Sequence, residues 1–139
     1  MSLVANVGCV CVAGRGIVIE GPPGSGKSSL ALALIDRGAT LVGDDGVEID
    51  VREGRAIAAP PPHTAGLIEV RNVGLVSLQT ARNAPIALVV RLDSEAPRFV
   101  DEPEVTTIAG LQLPLIRLWP DSPVLALRAE VALTRWGLP

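Results

Sequence analysis

Gly21-Pro22-Pro23-Gly24-Ser25-Gly26-Lys27-Ser28, in a chain of 139 residues, fills every fixed position of the pattern G-x-x-x-x-G-K-[ST]. Glycine and proline at this density exclude regular structure across the segment. The residues before it, Gly16–Glu20, read as a short strand. The residues after it, Lys27–Arg37, read as a helix: they are rich in Ala and Leu, and Gly38 stands where helices stop. Strand, glycine bend and helix in that order make a cradle for phosphate. The glycines let several N–H groups curl inward, and the helix adds its positive end to the same spot. Lys27 reaches the β- and γ-phosphates as a point charge, and the Ser28 hydroxyl offers Mg2+ a hard oxygen. With Ser29 in the first helical turn, Gly21 through Ser29 are the candidate phosphate-binding residues.

Working outward, Thr40–Val42 reads as a strand that ends at Asp44-Asp45-Gly46. A strand–helix–strand crossover brings the chain back to the same edge of a sheet, so these carboxylates should lie beside the phosphate loop. Two adjacent acids there divide the work. One helps to hold the metal, and the other takes the proton of an incoming hydroxyl. Neighbours in an extended segment point opposite ways, so only one is expected to face the γ-phosphate. Asp-Asp-Gly is also ordinary turn chemistry, and the phosphate loop is what favours the functional reading.

The remaining pattern is α/β with more strand than helix. Val7–Val12 forms a hairpin with Gly16–Glu20 through Ala13-Gly14-Arg15, and Glu53-Gly54 joins Val47–Val51 to Arg55–Ala58. Leu67–Val70 and Gly74–Leu78 are extended around Arg71-Asn72. Ile86–Leu92 is the strongest buried strand, Ser94–Pro103 is a polar loop, Val105–Pro114 is a strand or two, and Val124–Trp136 is a closing helix before Gly137. Length and hydrophobic content (48%) fit one soluble domain over residues 1–139 with a real core. The net charge of −3 argues against nucleic acid, and no apolar run is long enough to span a membrane. Cys9 and Cys11 share one face of a strand and read as buried small residues, with a reducing cytoplasm as the expected compartment.

The run GPPGSGKSSLALALIDRGATLVGDDGVEI, together with GLIEVRNVGLV, resembles the catalytic domain of HPr kinase/phosphorylase, in the short single-domain form found in proteobacteria. The resemblance implies a P-loop mixed-sheet fold shared with phosphoenolpyruvate carboxykinase. It implies a kinase that passes the γ-phosphoryl of ATP, with Mg2+, to a serine of HPr, a phosphocarrier of the sugar phosphotransferase system. By motif, Lys27 binds phosphate, Ser28 ligates Mg2+, Asp45 is the proton acceptor, and Glu69 is a second magnesium ligand, with Asp44 beside them. An arginine of the polar loop is catalytic in the family, and Arg98 is the candidate here. Homo-oligomers, hexamers in the family, are expected.

Three positions depart from the family pattern. Asn6 stands where the family has a histidine, and an amide cannot trade a proton near neutral pH. Asn72 replaces a glycine, a mild change because Asn tolerates left-handed backbone. The segment Leu115–Pro120 keeps little of the phosphorolysis loop, so the kinase half of the activity is the firmer expectation. His63, Arg15, Trp119 and Trp136 read as solvated or packing residues, and Glu69 and Arg71 share a strand face on which they can pair. The alternatives are a nucleotide-binding regulatory module without catalysis and a small-molecule kinase.

Overall fold

The computed structural model describes residues 2–139. Its elements are β1 (Ser2–Ala5), β2 (Gly8–Val12), β3 (Arg15–Glu20), α1 (Lys27–Asp36), β4 (Thr40–Gly43), β5 (Gly46–Arg52), β6 (Arg55–Ala59), β7 (Leu67–Val70), β8 (Gly74–Ser77), β9 (Ala84–Leu92), β10 (Glu104–Ile108), β11 (Leu111–Leu118) and α2 (Leu125–Trp136). This is the strand-rich α/β arrangement that the sequence predicts, with a phosphate-loop helix and a closing helix.

The main sheet runs β1-β5-β6-β9-β3-β2-β4, and β11, paired to β10, also joins β9. β9 lies parallel to both β3 and β11. Its residues are therefore covered on both faces, which explains the near-continuous apolar run. Leu88, Val90 and Leu92 pack with Ile17, Ile19, Leu30 and Leu34 beneath α1 and α2. Val89 packs with Val18, Val47 and Ile49 on the other side. Each such side chain contributes about 2 kcal/mol by leaving water.

The crossover differs from the simplest form. β2 pairs antiparallel with both β3 and β4, so it is inserted between the two strands that α1 connects. β4 still runs parallel to β3 and ends at the same side of the sheet. α1 buries Leu30, Ala31 and Leu34, and α2 buries Leu125, Ala129, Ala132 and Leu133 at helical spacing.

Several boundaries move. Ser2–Ala5 forms an edge strand on β5 that its short, exposed sequence did not announce. Val105–Pro114 resolves into two strands joined by left-handed Ala109 and Gly110, and the second runs on to Leu118. Pro114 is tolerated because parallel pairing with β9 begins one residue later, at Leu115. Gly137 is extended rather than left-handed; what requires glycine is space, since a Cβ there would lie 2.5 Å from the Leu133 carbonyl oxygen. Among the described residues, no helix is long and apolar enough to cross a membrane.

Candidate active site

The phosphate loop hangs between the end of β3 and the start of α1. Gly26, the residue before the helix, has φ 101°, a conformation that L side chains rarely adopt. No side chain caps α1 and no acid lies in its first turn, so its first N–H groups are left for an anion. Lys27 folds back over the bend, its Nζ donating to the carbonyls of Gly21 at 2.7 Å and Pro22 at 3.3 Å.

β4 delivers the two acids to this bend. The Ser28 hydroxyl donates to Asp44 Oδ1 at 2.7 Å. The backbone N–H of Glu69, on β7, donates to Asp44 Oδ2 at 3.0 Å. One carboxylate therefore ties the start of α1, the end of β4 and the middle of β7 together. A cleft of about 390 Å³ opens beside it, lined by the loop, Ser28, Ser29, Asp44, Asp45 and Glu69, with Asn6 and Arg71 at its border.

The alternation argument for Asp44 and Asp45 fails. Asp45 has φ 62°, so the segment is a left-handed turn rather than a strand, and both acids border one cleft. Two neighbours enforce the turn. Asn6, itself left-handed at φ 64°, donates its backbone N–H to the Asp45 carbonyl at 3.2 Å. Gly43 provides the room: a Cβ there would lie 2.2 Å from the Gly46 carbonyl oxygen.

The other sequence candidates divide. Gly21, Pro23, Gly24, Gly26, Lys27, Ser28 and Ser29 line the acidic cleft, whereas Pro22 and Ser25 face a neighbouring cavity. Arg98 is exposed on the loop after β9 and lines neither cavity. Arg71, read from sequence only as a partner for Glu69, borders the cleft; among the described residues Glu69 and Arg71 form no ion pair. Its position two residues after Glu69, just past the end of β7, was the available signal. Asn72 takes the left-handed backbone expected of it, at φ 70°. His63 is exposed, and Trp119, 42% exposed, donates its indole N–H to the Ala96 carbonyl. Cys9 is fully buried beside Cys11, and burial pushes its thiol far above the ordinary range.

The oxygens of Ser28, Asp44 and Glu69 suit a hard divalent cation. No group of three His, Cys, Asp or Glu side chains gathers as a metal site among the described residues.

The HPr serine kinase C-terminal domain model matches residues 3–118. The HPr kinase/phosphorylase of Cupriavidus necator is 35% identical over 123 residues, covering 77% of this chain and 37% of that protein. That of Clostridium tetani is 48% identical over 69 residues, 50% of this chain and 23% of its own length. The chain thus spans well under half of these curated relatives. The structure of the Hpr(Ser) kinase/phosphatase from Coxiella burnetii superposes with a TM-score of 0.83 at 23% identity, over 96% of this chain and 95% of that one, and so shares the fold. With a family model covering most of its length and a fold that agrees, the chain belongs to the HPr serine kinase C-terminal domain family.

Proposed function

We propose that the chain is the phosphoryl-transfer module of an ATP- and Mg2+-dependent protein serine kinase acting on an HPr-type phosphocarrier. The observation that carries this reading is the junction at Asp44, which joins the phosphate-loop serine to the strand bearing Glu69 and sets Asp45 beside it. Family membership supports the substrate class.

The triphosphate lies in the glycine bend, held by loop N–H groups, the α1 terminus and Lys27. Ser28, Asp44 and Glu69 are the residues that would hold Mg2+, which when bound neutralises charge on the β- and γ-phosphates. The acceptor serine enters opposite the leaving ADP. Asp45 accepts the hydroxyl proton as the serine oxygen bonds to the γ-phosphorus and the bond to the β-bridging oxygen breaks. Asn6 stands at the same mouth and can donate a hydrogen bond to a phosphoryl oxygen. It has no proton to exchange near neutral pH, so the forward reaction is the proposed one.

Incubation with ATP, Mg2+ and an HPr-type protein, read by intact mass, tests the reading. A single added phosphoryl mapped to serine is expected. Nucleotide binding without any transfer favours the regulatory module, and transfer only to a small hydroxyl compound favours the small-molecule kinase.

A further inference from the structure

The two ends of the main sheet are halves of one ribbon. At one end β1 pairs antiparallel with β5, from Ser2 opposite Ile49 to Ala5 opposite Gly46. At the other, β2 pairs antiparallel with β4, with Val10 opposite Leu41 and Cys11 opposite Thr40. Both pairings keep the same register, so Asn6–Cys9 faces Val42–Asp45 in equal number. The register slips only locally, at Cys9, which stands opposite Gly43. β1 thus runs on into β2, and β4 into β5, as partnered strands that fold over together. The fold is made by two opposed residues in the left-handed region, Asn6 at φ 64° and Asp45 at φ 62°. The Asn6 N–H donates to the Asp45 carbonyl at 3.2 Å. An irregularity of this kind in a ladder re-aims the side chains that it displaces. Here the displaced pair is Asp44 and Asp45, both on the cleft.

The two acids are not held alike. Asp44 has both carboxylate oxygens bonded, to the Ser28 hydroxyl and to the Glu69 N–H. The Asp45 carboxylate takes no hydrogen bond and no ion pair from the described residues, and the residue is exposed. Its backbone alone aims it. We propose that Asn6 is the positioning residue for Asp45, acting through its left-handed backbone and main-chain N–H and not through its side-chain amide; this rests on the reading of Asp45 as proton acceptor above.

The residue type fits that role. Asparagine enters the left-handed region more readily than most residues with a side chain, because its short amide can bond locally. L-alanine there sets Cβ against the following carbonyl oxygen and is driven back toward extended backbone. The N–H then turns away from Asp45, and the acid turn loses its tie to β1. β1 is exposed except at half-buried Val4, so it can shift without unpacking the core. The phosphate loop, carried by β3 and α1, stays in place. The rival account gives the role to the amide: Asn6 is exposed at the cleft border, where its side chain could meet a phosphoryl oxygen directly.

Asn6→Ala in the L form and in the D form separates the two accounts. The variants have the same atoms and both lack the amide, but only the D form settles in the left-handed region. Ligating a synthetic segment that ends at Gly8 to a chain that begins at Cys9 builds each at full length. The D form should transfer phosphoryl to the carrier at least about tenfold faster than the L form, with KM for Mg-ATP alike in both. Amide exchange over residues 44–48, read by mass spectrometry, should be faster in the L form. Equal rates in the two forms overturn the proposal, and rates equally low would give the role to the amide. An L form that does not fold, or that binds Mg-ATP less well, makes Asn6 a structural residue and overturns it too. Absence of transfer by the natural chain overturns the kinase reading. The exchange comparison then still decides whether Asn6 holds the turn, and equal exchange in the two forms would show that it does not.

Discussion

The Ser28 hydroxyl and the Asp44 carboxylate lie 2.7 Å apart, although they stand sixteen positions apart in the chain, across a helix and a strand. Asp44 spends its second oxygen on the Glu69 N–H, so the serine is fixed relative to both β4 and β7. Ser28→Ala removes one donor and one candidate metal oxygen while leaving the Asp44–Glu69 bond. Transfer should fall by about a hundredfold or more, with a higher Mg2+ requirement, in a titration of rate against magnesium. An unchanged magnesium dependence would remove Ser28 from the metal site.

Lys27 is the only lysine in the chain. An acyl-phosphate derivative of ATP therefore has one side-chain amine to modify. Labelling at Lys27 should be blocked by excess Mg-ATP, as peptide mapping would show. Labelling insensitive to nucleotide would mean that the triphosphate does not lie in the bend.

Gly43 makes the acid turn possible, because a Cβ would meet the Gly46 carbonyl at 2.2 Å. Gly43→Ala should cost about 1–3 kcal/mol in denaturant unfolding, the range for a forced backbone shift. It should also reduce transfer, since Asp44 and Asp45 follow directly. A variant as stable and as active as the natural chain would show that the turn relaxes freely.

The Glu95 N–H and then Arg117 hold the Asp93 carboxyl below the usual aspartate range. The folded state therefore binds this proton less readily than the unfolded one. The stabilisation is complete above the ordinary aspartate value of about 4 and is lost as pH falls through the lower folded value. Thermal unfolding between about pH 5 and pH 2 should show a smaller loss for Asp93→Asn than for the natural chain. Asp50, held low by Arg52, titrates in the same direction and remains in both.

The sequence was most readable where backbone chemistry is restrictive. The phosphate loop, α1 and the hairpin turns at Ala13-Gly14 and Glu53-Gly54 are announced by glycine and by periodicity, and all appear where expected. The convergence of Ser28, Asp44 and Glu69 was expected from connectivity and motif, and their hydrogen bonds realise it. What escaped depends on partners distant in the chain. β1 exists because β5 offers it an edge, and β11 continues past Pro114 because β9 pairs with it. The left-handed turn at Asp45 is fixed by Asn6, which lies 39 residues earlier, and local propensity carries no record of that bond. Arg98 was assigned by resemblance over a polar loop, and the structure places it outside the cleft in which Arg71 stands.

Asp45→Asn tests the central claim most directly, because it keeps the side chain's size and shape while removing the carboxylate proposed as proton acceptor. Phosphoryl transfer to the carrier and Mg-ATP affinity would be measured on the same preparation. Transfer should fall by about 10²–10⁴-fold with nucleotide affinity changed less than about threefold. Transfer at the natural rate by the asparagine variant would contradict the account.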